Sequence, residues 1–196
     1  MRADRSDRGC AGRSGEVGEA TVPGGDEGVA LPKSAVPLAY FVSFRTFGTW
    51  LRGDPRGWVD RQHHAPDSPY RPGSAELWEQ ERRRLGQPAA KLDALSAAVV
   101  TTTIRETCGR RGWTLHALNV RTIHVHTVVA AACGPEVVMG AFKACSSLAL
   151  RRAGLLAAGC VLWSRHGSTR YLWSEVAVEA ACEYVMERQD WDPSPE

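Results

Sequence analysis

Residues 114–133, TLHALNVRTIHVHTVVAAAC, constrain the fold more than any other stretch of this chain. Two runs rich in β-branched and aliphatic residues, 114–120 and 123–131, flank a short connection at Arg121-Thr122. Two strands so close in sequence pair antiparallel, as a hairpin. Within the second run His124 and His126 stand two residues apart. Side chains alternate faces along a strand, so these two project the same way, roughly 6.5–7 Å apart at Cα. That spacing lets two imidazoles converge on one divalent cation, each keeping its other ring nitrogen for a second partner.

The remaining elements arrange themselves around that hairpin. Residues 1–35 are rich in Gly, Arg, Ser and acidic residues with almost no aromatics, so they bury too little apolar surface to order themselves and are expected to be a disordered tail. An aromatic and β-branched strand is expected over 39–47. It runs into GTWLRGDPRGWVDR (48–61), punctuated as turns by Gly53, Asp54, Pro55 and Gly57, with Trp50 and Trp58 expected to pack on the domain. Ser74 caps a charged helix over 75–85, and Pro88 opens a longer one over 89–108 with Leu92, Leu95, Ala98, Val99, Thr102 and Ile104 as its apolar stripe. Pro135 starts a helix over 136–153, with Val137, Met139, Phe142, Leu148 and Leu150 as core candidates. Two short strands, 161–164 and 169–173, are expected to meet around a turn at 165–168. Ser174 then caps a last helix over 175–189. The order predicts an α+β fold, a ferredoxin-like sandwich whose central antiparallel sheet carries helices on one face. One domain spans 36–190, with a tail at 191–196.

Composition narrows the class. In 196 residues the net charge is only +2; the N-terminal segment is about neutral, so the basic excess falls in the rest, with Lys143, Arg151, Arg152, Arg165 and Arg170 in the C-terminal third. Such a surface suits nucleic acid without demanding it. The six cysteines form no C-x-x-C pair and several sit in apolar runs, which points to reduced thiols and a cytoplasmic protein. No apolar run is long enough to span a bilayer.

Two further features accompany the histidines. The segment RHGSTRY (165–171) places arginines and hydroxyls just before the last helix, surroundings that suit phosphate oxygens. The last helix carries Tyr184, flanked by Glu183, Glu187 and Gln189. Of the four tyrosines, only Tyr184 lies on a helix after the sheet; Tyr40 and Tyr171 belong to strands and Tyr70 to a Pro-rich connection.

His124-Val125-His126, Phe142-Lys143, Ser168–Tyr171 and Tyr184-Val185, taken in that order, resemble the small tyrosine transposases of the HUH superfamily, the insertion-sequence 200/605-like or REP-associated group. The resemblance covers roughly residues 38–189, and the segment GTWLRGDPRGWVDR looks like the start of a related branch. It implies a prokaryotic, nucleoid-associated protein that cleaves and rejoins single-stranded or hairpin DNA, as a monomer or a homodimer. It also implies Tyr184 as nucleophile, giving a 5′-phosphotyrosine link and a free 3′-hydroxyl. His124 and His126 would hold Mg or Mn, and Lys143, Arg165 and Arg170 would contact DNA. An ordinary phenol ionises near about pH 10 and needs a cation beside it, for which the metal, Lys143 or Arg170 would serve. Two positions depart from the family: Ile123 stands where relatives often carry Asn, and Arg188 stands where many carry the Gln ligand. Gln189 lies one residue later, about 140° further round a regular helix than Tyr184, so it reaches the metal only if the helix end unwinds; Glu183 and Glu187 are the alternative third ligands. Two other readings share these residues. One is a catalytically retired DNA-binding protein of the same fold. The other is a structural zinc site using His124, His126 and Cys133, although Cys133 lies past the strand end and zinc prefers closer ligand spacing.

Overall fold

In a computed structural model the described residues are 36–59 and 69–187. The expected tails at 1–35 and 191–196, and Gln189, lie outside them.

Four strands, β1 (Ala39–Thr46), β2 (Thr114–Val120), β3 (His124–Ala130) and β4 (Trp163–Leu172), form one antiparallel sheet in the order β2-β3-β1-β4. The helices are α1 (Ala75–Arg83), α2 (Ala94–Arg111), α3 (Pro135–Arg152) and α4 (Glu175–Glu187). With α2 joining β1 to β2 and α3 joining β3 to β4, this is the ferredoxin-like α+β sandwich, and β2 and β3 pair as the expected hairpin. Alternation along the strands divides the core in two. Val42, Phe44, Val125 and Val129 face α2 and α3, meeting Val100, Ile104, Val138, Phe142 and Leu150. Ala39, Ala117, Val128 and Leu172 point the opposite way, toward Ala181 and Val185 of α4. The two long helices thus share one face, and α4 is added on the other.

Three elements differ from expectation. α2 begins at Ala94 because Asp93 is its true cap, its carboxylate accepting from the Ser96 N–H at 2.7 Å. Residues before it cross the end of the two central strands, with the Ala90 N–H donating to the Phe47 carbonyl and the Leu92 N–H to that of Thr122. The helix passes through Gly109 and ends at Gly112, whose φ of 65° is the left-handed stop. The buried side of α2 is Ser96, Val100, Thr103, Ile104, Thr107 and Cys108, whereas Leu95 is exposed. In α3 Val137 and Leu148 are likewise exposed, and Val138 and Ser146 take the core positions beside Phe142 and Leu150.

The third difference is β4, a single ten-residue strand where two short ones and a turn are expected. Gly167 lies mid-strand, opposite Phe44. A Cβ there would collide with the Met139 sulfur and with the Ser43 carbonyl oxygen, the latter at 2.5 Å. This glycine permits close packing, not a reversal of the chain.

The loop after β1 does pack on the domain: Trp58 is buried, pairs with Arg71 through backbone bonds and donates its indole N–H to the Pro72 carbonyl at 3.2 Å. Among the described residues no helix is long and apolar enough to cross a membrane, and Cys108, Cys133, Cys145, Cys160 and Cys182 are free thiols.

Candidate active site

On the α4 face, strand register lays the polar residues out in rows. Asn119 of β2, His126 of β3, Ser43 of β1 and Ser168 of β4 are successive cross-strand neighbours. The next row toward the covered end is Ala117, Val128, Phe41 and Arg170. On the other side of His126, His124 lies opposite Arg45. Paired positions share a face, so one patch of sheet presents two imidazoles, two guanidinium groups and two hydroxyls beside an aromatic ring.

The His124 and His126 rings meet edge to face, centroids 4.7 Å apart. His126 also stacks on Phe41 at 5.6 Å and 21°. Burial, the neighbouring His124 and the charge of Arg45 together push His126 down to about 3, so its imidazole is neutral at ordinary pH. Its Nδ1 is buried and has no hydrogen-bond partner among the described residues. A neutral ring with an unspent buried nitrogen suits a metal ligand.

α4 brings Tyr184 to this patch. Its ring lies 6.2 Å from that of His126 and 5.9 Å from that of Phe41, edge-on to both, and the residue is 45% exposed. Two contacts set that position. Ala181 and Val185 are buried against Ala117, Val128 and Leu172. The Asn119 amide donates to the Val185 carbonyl at 2.9 Å, fixing the last turn of α4 over the hairpin. The other tyrosines are placed elsewhere: Tyr40 is buried against Tyr171 at 5.3 Å, Tyr171 stacks on Trp173, and Tyr70 packs near Trp50.

The three basic residues expected at DNA have different surroundings. The Arg170 guanidinium lies over Phe41 at 5.6 Å, on the histidine face. Arg165 is exposed near the start of β4. The Lys143 ammonium donates to the carbonyls of Ser164 at 3.0 Å and His166 at 3.2 Å, and lies 5.5 Å from the Phe44 ring. Burial pulls its pKa down. Phe44 belongs to the α2–α3 core, so the structure does not bring Lys143 to the histidines; it ties α3 to β4.

The donor set fits a divalent ion as two imidazoles. Among the described residues no group of three or more His, Cys, Asp and Glu side chains is placed to hold a metal, so Glu183, Glu187 and Cys133 do not join the pair. Cys133 packs instead against the α2–α3 core. Ile123 is buried, and its carbonyl accepts from both the N–H and the hydroxyl of Thr46, at 2.9 and 3.1 Å, which fixes the strand just before His124.

Asn119 and Arg45 are the site residues that sequence reasoning missed. Neither leaves a local signal: Asn119 reaches the site through the docking of α4 on β2, and Arg45 through the β1–β3 register.

No protein-family model matches the chain, and no curated protein matches it. Several solved structures are similar to it, two of which are as follows. One is a REP-associated tyrosine transposase bound to a REP hairpin, at 9% identity and a TM-score of 0.44, covering 79% of this chain and 68% of that one. The other is described as a putative transposase from Deinococcus radiodurans R1, at 15% identity and a TM-score of 0.39, covering 79% of this chain and 92% of that one. Neither likeness assigns chemistry to any residue here.

Proposed function

We propose that the chain is a transposase-type nuclease that cuts and rejoins single-stranded or hairpin DNA through a phosphotyrosine on Tyr184. One observation carries the reading: a half-exposed phenol on α4 stands 6.2 Å from a neutral imidazole of a histidine pair, on the open part of a sheet face. His124 and His126, with Gln189 as a further donor, would hold Mg or Mn, which withdraws charge from the phosphate and stabilises its developing negative oxygens. The rest of the chemistry belongs to the chain. The Tyr184 oxygen attacks phosphorus as the bond from phosphorus to the 3′ oxygen breaks. The phenolic proton is released, the leaving 3′ oxygen takes one up, and the 5′ phosphate stays on the tyrosine. One phosphodiester replaces another, so rejoining needs no nucleotide cofactor. Asn119 positions the phenol by holding the last turn of α4. Arg170, over Phe41 in the next row, adds positive charge for the DNA backbone, and Arg165 extends it along β4.

A second reading, a DNA-binding protein of the same fold without catalysis, is favoured by one fact: only two metal donors come together among the described residues. The experiment is incubation of the wild-type protein and Tyr184→Phe with hairpin-bearing single-stranded DNA and Mn or Mg, followed by denaturing electrophoresis. A covalent adduct in the wild type and none in Tyr184→Phe is the expected outcome. An adduct of equal yield in both removes Tyr184 from the mechanism, and DNA binding with no adduct in either selects the second reading.

A further inference from the structure

Arg45 projects from the end of β1 onto the histidine face, directly opposite His124. Its guanidinium lies over the Trp50 ring at 4.0 Å, and the Arg56 guanidinium lies over the same ring at 4.6 Å. The two arginines differ in one respect. Arg56 is fully engaged: it grips both Asp54 oxygens, at 2.8 and 2.9 Å, and donates to the Thr49 carbonyl at 2.9 Å. The Asp54 carboxylate also accepts from the Arg56 backbone N–H at 3.0 Å, so the acid of this loop is spent. Arg45, by contrast, makes no hydrogen bond or ion pair among the described residues, although it is partly buried. A guanidinium carries a planar fork of donors matched to two phosphate oxygens. Holding that fork by its flat face against an indole leaves the donors along its edge available.

We propose that Arg45 is a phosphate-binding residue of this site, clamping the non-bridging oxygens of a DNA phosphodiester next to the histidine pair, with the loop 47–58 as the bracket that orients it. The inference rests on the functional reading above for the identity of the ligand, and it deepens that reading by naming a substrate contact. The bracket explains why so short a loop spends Trp50, Asp54 and Arg56 on one another. Asp54 is taken up by Arg56, and Trp50 fixes the plane of Arg45 without neutralising it. A purely structural cation–π contact would need neither an unspent donor fork nor a place beside the histidines.

The test separates this contact from the nucleophile. Binding of a hairpin-bearing single strand is titrated against salt with the Tyr184→Phe protein, alone and combined with Arg45→Lys, Arg45→Gln or, as a control, Arg152→Gln at the end of α3. Adduct formation is followed in parallel with Tyr184 intact. Loss of one phosphate contact lowers the slope of log affinity against log salt by about 0.7 for a single strand. That drop is expected for Arg45→Gln and not for Arg152→Gln. Arg45→Lys keeps the charge over Trp50 and the salt slope, but loses the fork, and its adduct rate is expected to fall about tenfold. If Arg45→Gln lowers the melting temperature, Arg45→Lys with its retained stacking decides. An adduct rate within twofold of wild type for Arg45→Lys, or an unchanged slope for a folded Arg45→Gln, overturns the assignment. A changed slope with no adduct in the wild type supports the Arg45 contact and sinks the Tyr184 chemistry instead. No binding of DNA by the wild type overturns both.

Discussion

A neutral imidazole stacked on a phenyl ring can serve packing, chemistry or both, and His126 allows the two to be separated. Its ring lies on Phe41 and beside Tyr184, and such aromatic contacts contribute about 0.5–1.5 kcal/mol each. The His126→Ala variant is therefore expected to lose about 1–2 kcal/mol of stability, read as a modest fall in melting temperature, while divalent-dependent DNA cleavage disappears. Retained cleavage, or a collapse of the fold, would make the histidine a packing residue. At this scale the sequence was informative where chemistry has a fixed spacing. The alternation rule put His124 and His126 on one face, and elimination among four tyrosines left Tyr184, the one whose ring stands near them. Arg45 and Asn119 were not legible, because each reaches the site through strand pairing or helix docking. Asn119 contacts a residue 66 positions away. Lys143 shows what a motif leaves out: its ammonium donates to strand carbonyls of Ser164 and His166, a partnership that only the packing of α3 on β4 reveals.

Elements were legible in proportion to how local their determinants are. The β2–β3 hairpin needs only its own two runs, and it forms where expected. The phase of α2 was misread because its buried stripe includes Ser96, Thr103 and Thr107. The Thr103 and Thr107 hydroxyls donate to the carbonyls of Val99 and Thr103, at 2.8 and 2.7 Å, and so enter the core already hydrogen-bonded. β4 was divided because Gly167 reads locally as a turn, whereas its reason is the approach of Met139 and Ser43 from other elements. α4 matters most for function, since the position of Tyr184 depends on how its last turn is fixed. The hydrogen bond from Asn119 to the Val185 carbonyl ties that turn to β2. Asn119→Ala is expected to lower stability by about 1 kcal/mol. Its larger effect is on chemistry: adduct formation should slow severalfold or more, while affinity for single-stranded DNA stays within about twofold, because no DNA contact is removed. Rates under saturating DNA and a separate binding titration distinguish these effects. Equal losses in both would mean that Asn119 itself touches the DNA.

Across the whole molecule the sheet uses its two faces differently. α2 and α3 close one over a continuous apolar core, and α4 covers part of the other by setting Ala181 and Val185 against Ala117 and Val128 of the sheet, leaving the histidine rows beside it. The charges on that open part have a thermodynamic consequence. Two imidazoles bring no negative charge to a dication, no acidic cluster completes the set among the described residues, and Arg45 lies in register with His124. A bare Mn ion would therefore enter a site that is already positive, and Coulomb repulsion in a partly buried setting weakens it. A DNA phosphodiester brings the missing negative charge and is attracted both to the ion and to the guanidinium groups. Metal and DNA should consequently bind cooperatively. Since coupling is reciprocal, each must tighten the other by the same factor. Calorimetric titration of Mn into Tyr184→Phe, with and without saturating hairpin-bearing single-stranded DNA, is expected to show at least about tenfold tighter metal binding in the complex, a coupling of about 1.4 kcal/mol. His124→Ala should remove the coupling while leaving metal-free DNA affinity nearly unchanged. Equal Mn affinity in the two titrations would mean that the positive site is balanced by a donor other than the DNA, and that the histidine pair and the DNA surface work independently.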